Sequence, residues 1–382
     1  MQFGLSESQQ LLKANARKFF AGECPMEKVR QLLETDTAFD RELWSSMAEQ
    51  GYTGIIFPEQ YDGVGLGKVE LAILMEEAGR ALLPGPFFST VALAGAVIDA
   101  CGSPAQKQKY LAPICRGETR ATVAILESNA SWDPLDLQLR AADGSLTGEK
   151  LFVTDAAAAD TLVVVARNDV FVVDAKSPGI VIAPMLGMDL TRKMYSVKFS
   201  GVHGEALANP AGRAKGLRTA GVALSADMVG GMQRTLEVTV EYAKMRKQFG
   251  KIIGSFQAVQ HQCADMYLET ESARSACLYA GWAVDQDAED AEFAVAVAKM
   301  YASDAARTVG NRGIQIHGGM GFTWENDLHL YYRRAKASET ILGDAIFQRE
   351  CIARLVIDAP ASVSTQAASA QAKNPHIERV PS

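Results

Sequence analysis

In the first 118 residues apolar positions recur every three or four places. Leu12, Ala16, Phe19 and Phe20 share one face behind Ser6-Glu7-Ser8-Gln9, whose Ser and Gln have the spacing of a capping box, so a helix is expected to start there. Val69 to Leu83 is a second amphipathic stretch, stopped by Pro84-Gly85-Pro86, and a glycine-rich loop, Pro58 to Gly67, lies between the two. From about residue 119 the period changes. Short β-branched runs appear at Ala121–Leu126, Leu151–Thr154, Thr161–Val165, Val170–Val173, Ile180–Ile182 and Tyr195–Phe199, with Asp, Asn, Gly and Pro between them. Such runs predict a small β-barrel or sandwich, and the lack of long helices between them excludes a Rossmann unit. From 209 to 359 the helical period returns. Val222, Leu224, Met228, Met232, Leu236 and Val240 hold one apolar face for about five turns, and Phe256–Trp282 and Ala291–Gly310 are comparably long. The expected organisation is an all-α domain (1–118), a central β-domain (119–208), a C-terminal helical bundle (209–359) and a flexible tail (360–382) rich in Ala, Ser, Gln and Pro.

Composition narrows the function. The chain has 382 residues, of which 48% are hydrophobic and 22% charged, the balance of a globular protein of two or three domains. It carries 38 basic and 45 acidic side chains, a net charge of −7, which argues against nucleic acid as a partner. No apolar run approaches the roughly 18 residues that span a membrane. The N-terminus shows neither a basic nor an apolar signal region, and the six cysteines have no pairing rhythm, so a cytoplasmic protein with free thiols is expected. Metal chemistry is not indicated. His261 and Cys263 are two apart on an expected helix and face different sides, and no second pair completes a zinc set. Gly63-Val64-Gly65-Leu66-Gly67-Lys68-Val69 is one residue short of a phosphate loop and ends in Val where Ser or Thr would be needed.

Three stretches carry candidate chemistry. Arg246-Lys247-Gln248-Phe249-Gly250 joins two expected helices, and the second begins near Ser255-Phe256-Gln257. Its Arg suits a phosphate and Gln257 a base or ribose, while a capping Arg in an apolar turn explains the same residues. Gln315-Ile316-His317-Gly318-Gly319-Met320-Gly321 places three glycines in four positions, which suits either a close backbone approach or a tight interhelical turn. Phe152 and Thr154 share a face of an expected strand and suit a planar ligand, although a half-buried strand needs no ligand at all.

The order and spacing of these stretches resemble the acyl-CoA dehydrogenase family over about residues 1–357. Further matches are Pro58-Glu59 with Gly63-Val64-Gly65-Leu66, Glu76-Glu77-Ala78-Gly79-Arg80-Ala81, and Tyr332-Arg333-Arg334-Ala335-Lys336. The resemblance implies an α+β multidomain fold: N-terminal all-α domain, central β-domain and C-terminal four-helix bundle. It implies FAD as cofactor, an acyl-CoA substrate, α,β-desaturation of the thioester, electron-transfer flavoprotein as acceptor, and at least a dimer, because a neighbouring subunit completes the flavin site. By motif, Phe152 and Thr154 would face the flavin, and the Ala124-Ile125-Leu126-Glu127 strand would border its pyrimidine edge. Arg246, Gln248, Phe249, Gln257, Gln315, Gly318 and Gly319 would hold the diphosphate and adenosine end. The fold positions the flavin, and the flavin carries the hydride step.

The departures from the family pattern concern the base. Thr340-Ile341-Leu342-Gly343-Asp344 aligns with the stretch in which most members have the catalytic Glu; Gly343 and Arg349 match, but Leu342 stands where that Glu would be. The alternative base position, on the helix before Arg246, is Ala220, followed by Gly221 where Arg is usual. On the substrate side, Trp132 replaces a residue that is often Ser, and it either narrows the thioester path or packs on the surface. Three readings follow. In the first, an active dehydrogenase uses Asp344, with Glu325 and Glu339 as weaker candidates; Asp344 equally suits a helix cap. In the second, the chain is the base-deficient, FAD-site-completing subunit of a heteromeric dehydrogenase. Steroid-degrading members pair two different family chains in this way, and Phe322-Thr323-Trp324-Glu325 resembles that subgroup. In the third, it is a non-catalytic structural subunit. A nitroalkane-type oxidase with an Asp base is less well matched, because Asp344 is displaced from the usual site.

Overall fold

The computed structural model describes residues 4–142 and 144–358; the expected tail at 360–382 lies outside them. The chain opens with α1 (Glu7–Glu23), α2 (Met26–Leu33), α3 (Arg41–Glu49) and α4 (Lys68–Arg80). A π-helical stretch, Phe88–Gly95, then runs into α5 (Ala96–Cys101), and α6 (Pro104–Cys115) follows. The capping box forms as expected: Ser6 Oγ accepts from Gln9 N at 3.2 Å and Gln9 Oε1 accepts from Ser6 N at 2.9 Å. Ser103 and Gln106 start α6 with the same device.

Eight strands follow: β1 (Ala121–Ala124), β2 (Ala141–Ala142), β3 (Ser145–Thr154), β4 (Thr161–Val165), β5 (Val170–Asp174), β6 (Ile180–Met185), β7 (Met194–His203) and β8 (Glu205–Ala206). They form two four-stranded sheets, ordered β1-β4-β5-β8 and β2-β3-β7-β6. The pairing is antiparallel except between β1 and β4, where Ala121 sits beside Thr161 in a parallel ladder. Val153, Leu162, Val164, Phe171, Val197 and Phe199 fill the space between the sheets, as in a sandwich.

The C-terminal part is built on α7 (Arg213–Met245), then a two-residue-strand hairpin of β9 (Lys247–Gln248) and β10 (Lys251–Ile252), α8 (Gln257–Asp285) and α9 (Ala291–His317). Two shorter helices, α10 (Leu328–Thr340) and α11 (Ala345–Val356), pack on α9. Met228, Met232, Leu236, Met266, Ala302 and Val309 form the bundle core. The apolar face expected from 222 to 240 holds for Met228, Met232, Leu236 and Val240, whereas Val222 and Leu224 are buried in the separate core shared with the N-terminal helices. The hairpin appears in sequence only as a turn, because each strand is two residues long.

Helix α4 crosses α7 at backbone contact. A Cβ placed on Gly230 would lie 1.8 Å from the Glu76 carbonyl oxygen, and one on Gly79 would lie 2.1 Å from that of Asp227, so only glycine permits this crossing. Beside it, a buried ionic cluster ties the sheets to the bundle. Arg334 on α10 meets Asp189 at 2.7 Å and Asp227 on α7 at 3.2 Å, and it donates to the Leu83 carbonyl at 3.0 Å. Arg192 meets Asp227 at 3.5 Å. Burying such charges costs several kcal/mol each, which the mutual pairing offsets. The outcome is the expected α+β architecture, with a cleft where the sheets, the π-helical stretch and the C-terminal helices meet.

Candidate functional site

The cleft begins at the end of β3. Its pairing with β7 carries a bulge between Lys150 and Val153, and Phe152 adopts a left-handed backbone, φ +54°. The bulge breaks the alternation expected of the strand, yet Phe152 and Thr154 still line the same cavity. The Thr154 side chain is buried, and its hydroxyl has only the Met194 sulfur, 3.7 Å away, as a partner among the described residues. Its carbonyl accepts from Thr122 Oγ1 at 2.6 Å, which pins the strand end. The cavity is about 290 Å³ and is walled by Leu93, Ile125, Leu126, Trp132, Ile341 and Leu342. No charged or titratable side chain lines it among the described residues.

A hidden ion pair fixes one wall. Lys150, fully buried two residues before Phe152, donates to the Ile125 carbonyl at 2.8 Å and to Glu127 at 2.7 Å. Glu127 also accepts from the backbone of Gln138 at 2.7 Å and Leu139 at 2.9 Å. Burial pulls the Lys150 ammonium below its ordinary range, against the pull of Glu127. Burial also opposes the Glu127 charge, but Lys150 and the two backbone N–H groups outweigh it and hold the carboxylate below its ordinary value.

The opposite wall is a strained turn. Leu342 has φ +59° and Gly343 φ +87°, and a bulky side chain in that region costs about 1–3 kcal/mol. Two side chains hold it. Gln348 Nε2 donates to the Leu342 carbonyl at 2.7 Å. Lys299 Nζ donates to the carbonyls of Glu339 at 2.9 Å and Gly343 at 3.1 Å and to Ser303 Oγ at 3.3 Å. These three acceptors use all three ammonium protons. Burial nevertheless pulls Lys299 down to about 7. Beyond the turn lies a second cavity of about 230 Å³, which shares Trp132 and Leu342 with the first.

The other residues singled out in the sequence divide into groups. Arg246, Gln248 and Phe249 sit together on the β9–β10 hairpin, away from both cavities. Phe249 is 92% exposed, and the Arg246 guanidinium forms no ion pair among the described residues. Gln257 opens α8 and is exposed. Gln315 lies on the last turn of α9, next to His317, which stacks on Tyr242 at 4.2 Å. Gly318, at φ +59°, and Gly319 have nothing within 4 Å of where a Cβ would stand. Arg349 pairs with Asp304 and lines neither cavity.

The base candidates are all engaged elsewhere. Asp344 is the N-cap of α11: its Oδ1 accepts from Ile346 N at 3.1 Å and Phe347 N at 2.9 Å. The Glu339 carboxylate pairs with Lys336 at 2.5 Å and Arg307 at 3.6 Å, and Glu325 is exposed. Ala220 is fully buried, and Gly221 borders the second cavity.

Sequence reasoning missed Lys299, the Lys150–Glu127 pair and the Arg334 cluster. For Lys299 a signal existed: it falls in register with Val295, Ala302 and Ala306, so a lone cation stands on an apolar stripe.

Comparisons with known proteins identify the family and the fold. Residues 6–118 match the acyl-CoA dehydrogenase N-terminal domain, and residues 214–357 match the acyl-CoA dehydrogenase C-terminal domain. The chain is 32% identical over 353 residues to the acyl-CoA dehydrogenase IpdE2 of Mycobacterium tuberculosis, covering 91% of this chain and 96% of the relative. It superposes on a variant of the steroid ACAD Tcur3481-Tcur3483 with TM-score 0.87 and 30% identity, covering 93% and 99% of the two chains. On the ChsE4-ChsE5 complex from Mycobacterium tuberculosis the TM-score is 0.87 at 28% identity, covering 94% and 100%. Among the described residues no helix is long and apolar enough to cross a membrane. The chain belongs to the acyl-CoA dehydrogenase family, FAD-dependent oxidoreductases acting on a CH–CH bond, and FAD is its cofactor.

Proposed function

We propose that this chain is the base-deficient, flavin-supporting subunit of a heteromeric acyl-CoA dehydrogenase. One observation carries the reading: among the described residues no proton acceptor lines the cavity beside Thr154, and Leu342, which the sequence resemblance aligns with the family base, stands in its wall. The two structural relatives named above are each known by a pair of chains, which supports assembly with a second, different family member that carries the Glu.

The residues present fit FAD. Thr154 keeps a buried hydroxyl with no oxygen or nitrogen partner among the described residues, beside an apolar cavity suited to a flat ring. The bound flavin supplies the hydride acceptor. Within this chain, Thr154 would donate a hydrogen bond to the ring and Phe152 would cover it. The Lys150–Glu127 pair keeps the Ile125–Leu126 edge in place. Arg246, Gln248 and Phe249, with Gln257, Gln315, Gly318 and Gly319, form an exposed set with an uncompensated cation and open backbone. We assign to this set the diphosphate and adenosine end of the FAD whose ring lies in the partner chain. Trp132 borders the thioester side of the cleft. Arg349 on α11 pairs with Asp304 on α9 and ties the two helices together.

An acyl-CoA as substrate, electron-transfer flavoprotein as acceptor and a cytoplasmic location belong to the same reading. The last is supported by six free thiols. The alternative of an active homomer needs a base, and Asp344 is spent on its cap. A purely structural subunit would have no use for the Thr154 cavity or for an exposed Arg246 without an ion pair among the described residues. The test is flavin retention. Co-expression with a Glu-bearing family chain is expected to give a yellow complex that desaturates acyl-CoA. Full activity of the isolated chain overturns the proposal.

A further inference from the structure

A third cavity, of about 190 Å³, opens where α1, α2, α4, α7 and α10 meet, and it shares no lining residue with the two cavities already described. Its floor is apolar. Phe20, Ala21 and Cys24 come from α1 and its C-cap, Met26 from α2 and Tyr331 from α10. The Tyr331 hydroxyl is spent on the Arg80 carbonyl, to which it donates at 2.9 Å, so its ring is what this residue offers a ligand. The volume lies below the range of cofactor and drug-sized sites, which limits an occupant to a small molecule.

Three guanidinium groups, those of Arg17, Arg80 and Arg234, border this floor, and only two carboxylates answer them. Arg17 forms a bidentate pair with Glu77, at 3.0 and 2.9 Å. Arg80, at 2.5 Å, and Arg234, at 3.5 Å, share one and the same oxygen of Glu237. Nearby carboxylates do not make up the difference, because each has a cation of its own. Glu76 meets Lys13 at 2.8 Å and Arg274 at 3.2 Å, and Asp327 meets Arg30 at 2.7 Å. The border of the cavity therefore carries one positive charge in excess. In addition, Arg80 Nε–H is buried and has no hydrogen-bond partner among the described residues. A buried donor left without an acceptor costs about 1–3 kcal/mol, a cost that an acceptor from outside the chain would remove.

We propose that this crevice is a binding site for a small organic carboxylate, separate from the flavin-side cavity and independent of the flavin reading. The carboxylate accepts from Arg80 Nε and from the Arg234 guanidinium, and an apolar body of about one ring covers Phe20, Met26 and Tyr331. A bound anion then joins α4 and α7 through the two cations, in addition to the shared Glu237.

The test is a titration of the full chain, followed by fluorine NMR of the ligand, with para-fluorobenzoate and its neutral counterpart para-fluorobenzamide. Inorganic phosphate serves as competitor. The carboxylate is expected to bind at least about tenfold more tightly than the amide, as one charge-assisted hydrogen bond provides. Arg234→Gln is expected to remove most of that preference; its ion pair to Glu237 is long and shared, and Arg80 continues to hold Glu237. Ala21→Leu, on the exposed side of α1, should weaken both probes by filling the floor, while circular dichroism of the two variants stays that of the parent. Absence of binding by the unaltered chain overturns the proposal, and so does equal affinity for carboxylate and amide. Phosphate that displaces the carboxylate at equal concentration removes the part given to the apolar floor and overturns it too. Binding that survives both Arg234→Gln and Ala21→Leu places the ligand elsewhere and overturns it as well.

Discussion

Asp155→Asn isolates the electrostatics beneath the site. Asp155 follows Thr154 directly, is completely buried, and has a left-handed backbone, φ +55°. One carboxylate oxygen accepts from Ser89 Oγ at 2.7 Å, and the other has no partner among the described residues. Burial raises its carboxyl from 3.8 to about 6; Ser89, Arg192 and Arg334 oppose that rise, and Asp189 adds to it. The cluster holds three carboxylates (Asp155, Asp189, Asp227) against two guanidinium groups (Arg192, Arg334), so protonation of Asp155 brings it to balance. The folded state therefore binds this proton more tightly than the unfolded chain does. Stability falls as pH rises from about 4 to about 6 and then levels, at a total cost of roughly 3 kcal/mol. Asparagine imitates the protonated form at every pH. The variant and the parent should unfold at nearly the same urea concentration at pH 4, and the variant should gain up to about 3 kcal/mol by pH 7. Tryptophan fluorescence follows the transition. A difference between the two proteins that stays constant from pH 4 to 7, or a loss of stability on substitution at pH 8, refutes the reasoning.

Other perturbations probe separate parts of the account. Leu342→Glu places a carboxylate in the wall of the flavin-side cavity, which no charged side chain lines among the described residues, and burial there raises its pKa toward a useful base. The flavin-loaded variant is expected to gain acyl-CoA-dependent bleaching that the parent lacks. Arg334→Met leaves Asp189 buried without its guanidinium and Asp227 with Arg192 alone, and should cost about 3–5 kcal/mol, read by chemical unfolding. Gly230→Ala drives a Cβ into the Glu76 carbonyl and should cost about 3 kcal/mol or more through the α4–α7 crossing. Arg246→Ala removes a side chain with no ion pair among the described residues, so it should lower flavin retention in the assembled complex while leaving the unfolding midpoint of the chain unchanged.

Features set by local chemistry were legible in the sequence. Ser6 and Gln9 announced a capping box, and Thr161–Val165 announced a strand, because each depends on neighbours a few residues away. Phe152 and Thr154 were found together for a partly different reason from the one expected: a bulge, not plain alternation, brings both to the cavity. Asp344 shows the limit of local reading. A carboxylate two residues beyond the base position suits a base or a cap, and only the backbone at Leu342 and Gly343 decides that it faces the N–H groups of α11. Lys299 and Arg334 are long-range features. Lys299 meets carbonyls 40 and 44 residues away, and Arg334 meets Asp227 at a separation of 107. Periodicity places such residues on a buried face but says nothing of the acceptor that makes burial tolerable.

The central claim is that this chain provides a flavin cradle without a base. The most direct measurement is the visible spectrum of the purified, FAD-loaded chain during anaerobic addition of acyl-CoAs of graded length and ring content. The account predicts a flavin band that stays unbleached with every thioester and bleaches once a Glu-bearing partner chain is added. Rapid bleaching by the chain alone would contradict it, because a proton acceptor would then be at work beside Thr154.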